Sequence, residues 1–147
     1  MMYRQPGNRI LRNAIRTPDG TILESTFRWD YRGHLDTVNN VYYTVDGGLD
    51  YLKRSGGFFE DLTLTEQTPH YILREYVTWG VWNSKKARHD PKAICSLSLS
   101  HIHNILTKLD RETIYPQIVD LLENEILYRD RWAKNNILFN EKKEDEL

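Results

Sequence analysis

The chain has 147 residues, 39 % hydrophobic and 28 % charged, a length and balance that fit one globular domain with a single core and exclude a disordered or fibrous chain. The formal net charge of −1 supplies no bulk attraction to a phosphate backbone or an anionic membrane, so general nucleic-acid binding is not expected, although a local basic patch is compatible with it. The lone cysteine, Cys95, cannot form an internal disulfide and reads as a small buried hydrophobe, which points to a reducing, cytoplasmic compartment.

From the N-terminus, no apolar run has the length of a signal peptide, and no segment approaches the roughly 20 apolar residues that span a bilayer. Ile10 to Arg16 and Thr21 to Trp29 read as two β-runs around Thr17-Pro18-Asp19-Gly20, a turn in which proline presets φ and glycine accepts a positive value. Alternation in the second run places Leu23, Phe27 and Trp29 on one buried face. Val41 to Val45 is a third, β-branched and aromatic run closed by Asp46-Gly47-Gly48.

Leu49 to Arg54 is expected as a short helix stopped by Ser55-Gly56-Gly57, and Phe58 to Thr68 as irregular. A helix is predicted from Pro69 to Tyr76 with Thr68 as its cap. Asn83 to Pro91, polar and without a period, is expected as a mobile loop. Ser98 caps an amphipathic helix that carries Leu99, Ile102, Ile105 and Leu106 and ends near Asp110. In a second helix, from Thr113 to about Trp132, Ile118, Leu121, Leu122, Glu125 and Ile126 trace an apolar stripe, and Pro116 is tolerable in the first turn.

These elements predict an α+β fold, a small antiparallel N-terminal sheet of about three strands packed on a C-terminal helical hairpin. Residues 8–82 are mainly β with short helices, 83–91 form a loop, 92–132 the hairpin and 133–147 a charged tail.

Few constellations carry chemistry. His101 and His103 diverge by about 200° on a helix, and no spaced Cys/His set is present, so no metal site and no cofactor are expected. His34, two residues before Asp36 in what reads as a hairpin loop, could serve as a base with Asp36 or Asp46 in a small metal-independent hydrolase. More suggestive are the planar and cationic side chains around the sheet. Arg28, Trp29, Arg32, Tyr43 and Arg54 offer stacking faces and forked donors, the chemistry that holds a nucleotide and also that of protein interfaces. A solvated, partly core role for the same residues is the bland alternative, and alternation does not settle the faces of Tyr42 and Tyr43.

Asn8-Arg9-Ile10-Leu11-Arg12-Asn13, Thr17 to Ser25, and Val45-Asp46-Gly47-Gly48-Leu49-Asp50-Tyr51-Leu52 resemble, in that order, a family of small accessory proteins of tailed bacteriophages. The resemblance continues through Thr78-Trp79-Gly80, His101-Ile102 and Glu125 to Arg129. Where members of that family carry a His-Arg-His-Asp run, this chain reads Phe27-Arg28-Trp29-Asp30, so an acid/base or metal role for those histidines is lost and a stacking role survives. The resemblance implies a host-directed, anti-defence role in the host cytoplasm.

The expected function is therefore non-enzymatic binding of a nucleotide-like small molecule or a host protein, with no membrane partner. A homo-oligomer that builds its pocket between subunits is compatible. A helical scaffold module is a further alternative, set against the turns, glycines and aromatics of the first half.

Overall fold

The Thr17-Pro18-Asp19-Gly20 turn reverses the chain as its composition dictates. Thr17 and Thr21 close it through Thr17 N–H on the Thr21 carbonyl at 2.9 Å, and Gly20 takes φ +88°. The structure, a computed structural model, describes residues 8–25, 30–49, 53–108 and 115–145, the last ten as backbone only. It is α+β, with three antiparallel sheets and three α-helices among those residues.

Strand β1 (Ile10–Arg16) is central to the first sheet. It pairs β2 (Ile22–Ser25) on one edge, and on the other it pairs β6 (Glu60–Asp61) near its end and β7 (Leu64–Thr65) near its start. The second sheet has the order β3 (Arg32–Asp36), β4 (Val41–Asp46), β5 (Lys53–Ser55). The third is a two-stranded ribbon of β8 (Thr78–Asn83) and β9 (Arg88–Ala93).

Helix α1 (His70–Tyr76) precedes the ribbon. A 3-10 turn at Ile94–Ser96 leads into α2 (Leu99–Lys108), and α3 runs over Pro116–Asp145. Ser98 caps α2 as expected, its Oγ accepting the His101 N–H at 3.1 Å.

Several expectations need correction. The segment 32–36, read as a loop, is β3, and its polar sequence hid the pairing that its partner β4 supplies. The helix expected over 49–54 is not formed at its end, because Lys53–Ser55 adds β5 to the free edge of β4; residues 50–52 lie outside the described residues. Part of the irregular stretch 58–68 forms β6 and β7 against β1. The loop expected over 83–91 is mostly ribbon, with only 84–87 as the turn. Its polarity reflects exposure, since only one face of the ribbon meets the core. Thr68 does not cap α1; Pro69 holds that position and the Thr68 hydroxyl accepts the Thr65 N–H instead. Helix α3 continues through the expected tail, there being no glycine or proline between Gln117 and Asp145 to stop it.

Buried residues fall in two clusters rather than one. Leu73 and Val77, Ile94 of the 3-10 turn and Leu97 just after it, Ile102 and Ile105 of α2, and Ile118, Leu121 and Leu122 of α3 assemble around Leu11 of β1. Ile15 of β1, Leu23, Tyr43 and Val45 form the second cluster. The helices thus close over the start of β1 rather than over a whole sheet face. Between the sheets, fully buried Asn13 donates from Nδ2 to the Asp46 carbonyl at 2.9 Å.

Candidate functional site

Of the five residues singled out as contacts, Arg28 and Trp29 lie outside the described residues. The other three do not converge. Tyr43 is 1 % exposed and donates its hydroxyl to the Phe58 carbonyl at 2.8 Å, so it is a core residue and not a contact. Arg54 is largely spent on fold, bonding Asp61 at 2.7 Å and Thr63 at 3.1 Å with its guanidinium over the Phe59 ring. Arg32 stands exposed on β3, paired with Asp30 at 2.9 Å.

The acid/base expectation also changes partner. Fully buried Asp36 accepts the Val38 and Asn39 N–H groups and the Asn39 amide, which builds the β3–β4 turn and leaves it unfit as a partner for His34. His34 instead places Nε2 2.7 Å from Asp19 Oδ2, across the gap between the two sheets. Hydrogen bonds from Thr17 and His34 hold the Asp19 carboxyl well below the usual carboxylate range. Neither residue lines any of the three cavities described below.

A different cluster lies between α1 and α3. Glu125, in the apolar stripe of α3, is fully buried. Its Oε1 accepts His70 Nε2 at 2.9 Å and Arg74 Nε at 2.8 Å; its Oε2 accepts Arg74 Nη2 at 2.9 Å and Arg129 Nε at 2.6 Å. Burial alone would raise the Glu125 pKa, but the bonds from Arg74, His70 and Arg129 outweigh it and hold the carboxyl far below its ordinary range. The same bond raises Arg74 above its already high value.

Helix geometry produces this arrangement. His70 and Arg74 sit one turn apart on α1, and Glu125, Tyr128 and Arg129 share one face of α3. The Tyr128 ring lies 4.5 Å from the Arg74 guanidinium and 5.4 Å from the His70 ring. Arg129 also donates from Nη2 to the Leu97 carbonyl at 2.7 Å and the Ile94 carbonyl at 3.2 Å, pinning the 3-10 turn to α3. Above this base opens a cavity of about 410 Å³ lined by Arg74, Tyr128, Arg129, Trp132 and Ala133.

Two arginines against one carboxylate leave one positive charge in excess at the floor. Among the described residues, Nη1 of neither arginine has a hydrogen-bond partner. Trp132, 58 % exposed, supplies a planar wall. This arrangement can hold a planar anion by forked donation and stacking. The sequence did carry a signal for it, a carboxylate in an otherwise apolar helical stripe with an arginine four residues on.

A larger cavity, about 510 Å³, lies toward the start of α3, beside Gln117, Asp120 and Leu121. There Arg9 bridges Glu66 and Asp120, and Leu11, Leu73 and Leu121 form its apolar part. Among the described residues, no three His, Cys, Asp or Glu side chains gather as a metal site, and no helix is long and apolar enough to cross a membrane. Cys95 is only partly buried. No protein-family model, curated protein or solved structure matches the chain.

Proposed function

We propose that this protein acts by binding rather than by turnover, as a phage accessory protein that counteracts a host process or defence system by engaging a nucleotide-like anion in the Arg74–Trp132 pocket. The single observation that carries the reading is the pair of arginines fixed by buried Glu125 beneath an exposed tryptophan. Guanidinium groups held by a carboxylate are oriented before any ligand arrives, so little rotamer entropy remains to be lost on binding. The phage resemblance supports the host-directed part.

Native mass spectrometry on protein purified from a bacterial host is the first test. A nucleotide mass lost on denaturation is expected, and Trp132→Ala should lose it while keeping the fold. Bare protein, together with no heat of binding for mononucleotides, cyclic mononucleotides or cyclic dinucleotides, would overturn the proposal.

A second reading, docking of a host protein, draws on the outer face of β3 and β4. Tyr31, Leu35 and Tyr42 are each at least half exposed there. An exposed apolar and aromatic sheet face is the composition of interface centres. Loss of host-protein capture in Tyr31→Ser/Tyr42→Ser, with nucleotide binding unchanged, would favour it.

A further inference from the structure

The net charge of −1 conceals a strong local asymmetry. The ribbon from Thr78 to Ala93 carries Lys85, Lys86, Arg88 and Lys92 against the single acid Asp90, an excess of three positive charges; the rest of the chain has 16 cationic and 20 acidic residues. Such a patch attracts anions locally while the remaining surface repels them.

The ribbon's two faces differ. Trp79 and Val81 turn inward and pack against the helical core. The register places Gly80, Trp82, His89 and Pro91 together on the other face, and all four are exposed. There the Trp82 and His89 rings meet edge to face at 5.2 Å. A Cβ at Gly80 would come within 3.3 Å of His89 Cβ, so the glycine keeps this face low and leaves the ring pair prominent.

Lys85 and Lys86 occupy the turn, where their N–H groups bond Asn83 Oδ1 at 3.1 and 3.3 Å and both side chains are exposed. Asp90 is already engaged by Arg88 at 2.8 Å and Asn83 at 2.7 Å. A surface groove of about 380 Å³ runs along the ribbon edge past Trp82, Asn83, Lys85, Asp90, Pro91 and Lys92, with Lys92 on the face opposite the Trp82–His89 pair.

We infer that the β8–β9 ribbon is a second binding site, for single-stranded nucleic acid, independent of the nucleotide pocket. A base stacks on Trp82 beside His89, and the neighbouring phosphates meet Lys85 and Lys86 at the turn. Stacking on an exposed indole combined with lysines at the adjoining turn is the chemistry of sequence-tolerant strand binding. Duplex is disfavoured because its bases are not free to stack.

The test is fluorescence anisotropy with labelled oligothymidylate and oligouridylate, with a matched duplex for comparison, on the full chain and on Trp82→Ala and Lys85→Glu/Lys86→Glu. All the substituted positions are exposed, and circular dichroism checks the fold. Binding to the single strands that weakens with salt, falls about fivefold or more in Trp82→Ala and at least as far in the charge reversal, is the expected result. No binding, or binding unchanged in both variants, overturns it. So does equal or tighter binding to phosphatidylglycerol vesicles that the same variants abolish, which would assign the patch to a membrane surface. Loss of strand binding with the nucleotide mass retained, or the reverse in Trp132→Ala, separates the two sites.

Discussion

Arg74 closes a two-pronged fork on Glu125, Nε to Oε1 at 2.8 Å and Nη2 to Oε2 at 2.9 Å, with the carboxylate shut off from solvent. Arg74→Ala removes two of the four hydrogen bonds on this buried carboxylate but leaves those from Arg129 and His70, so it should cost about 1.5 to 3 kcal/mol of stability, measured by urea unfolding. A cost below about 1 kcal/mol, the range of exposed pairs, would mean that water replaces the guanidinium at Glu125.

The same carboxylate sets an acid limit. Its folded pKa is depressed, so its contribution is complete above the unfolded carboxyl pKa of about 4.3 and is lost as pH falls below it, where the unfolded chain binds the proton first. Glu125→Gln removes this proton, and below about pH 4 its stability should fall less steeply than wild type by about 1.4 kcal/mol per pH unit. Asp19, Asp61 and Asp90 are also depressed but act in both proteins, so the difference in slope isolates Glu125. Parallel pH profiles would contradict its low pKa.

Two glycines face tyrosines with opposite consequences. A Cβ on Gly56 would overlap the buried Tyr43 ring, with Cε1 at 2.9 Å, and Gly56 also holds φ +135°. Gly56→Ala should therefore destabilise by at least about 2 kcal/mol through overpacking and backbone strain. At Gly33 the added carbon would meet the outer end of Tyr42, whose Cζ lies at 2.7 Å, but that ring is half exposed and free to swing away. Gly33→Ala should stay below about 1 kcal/mol in thermal or urea melts.

Ala87 closes the ribbon turn with φ +49°, in the left-handed region that an L side chain other than Asn or Asp enters at a cost of about 1 to 2 kcal/mol. Ala87→Gly should relieve that strain and, after the added unfolded-state entropy of glycine, stabilise by about 0.5 kcal/mol. Asn40, at φ +55°, has a side chain suited to this conformation, so Asn40→Gly should give no comparable gain. Equal shifts in melting temperature would show that the strain at Ala87 is not relieved.

Local chemistry made some elements legible and left others hidden. The Thr17–Gly20 turn, β1, β4, α1 and the Ser98 cap were readable because short-range rules decide them. Strands β5, β6 and β7 exist only because an edge of β4 or β1 is waiting for them, and no local pattern in two or three residues announces a distant edge. Tyr42 and Tyr43 were indistinguishable until the register opposite Leu35 and His34 fixed which ring faced the core. Glu125 was visible in its stripe, but its partners His70 and Arg74 come from a helix about fifty residues earlier, a closeness that only tertiary packing creates.

Strand β1 touches both buried clusters, Leu11 in one and Ile15 in the other, four residues apart. A wall shared in this way makes each cluster a condition for the other, because neither is complete until the same seven residues are ordered. The molecule should consequently have no half-folded resting state in which the helices persist while the sheets dissolve. A protease would then meet it as intact or fully open, and a split placed between the clusters would yield fragments that regain structure only in each other's presence.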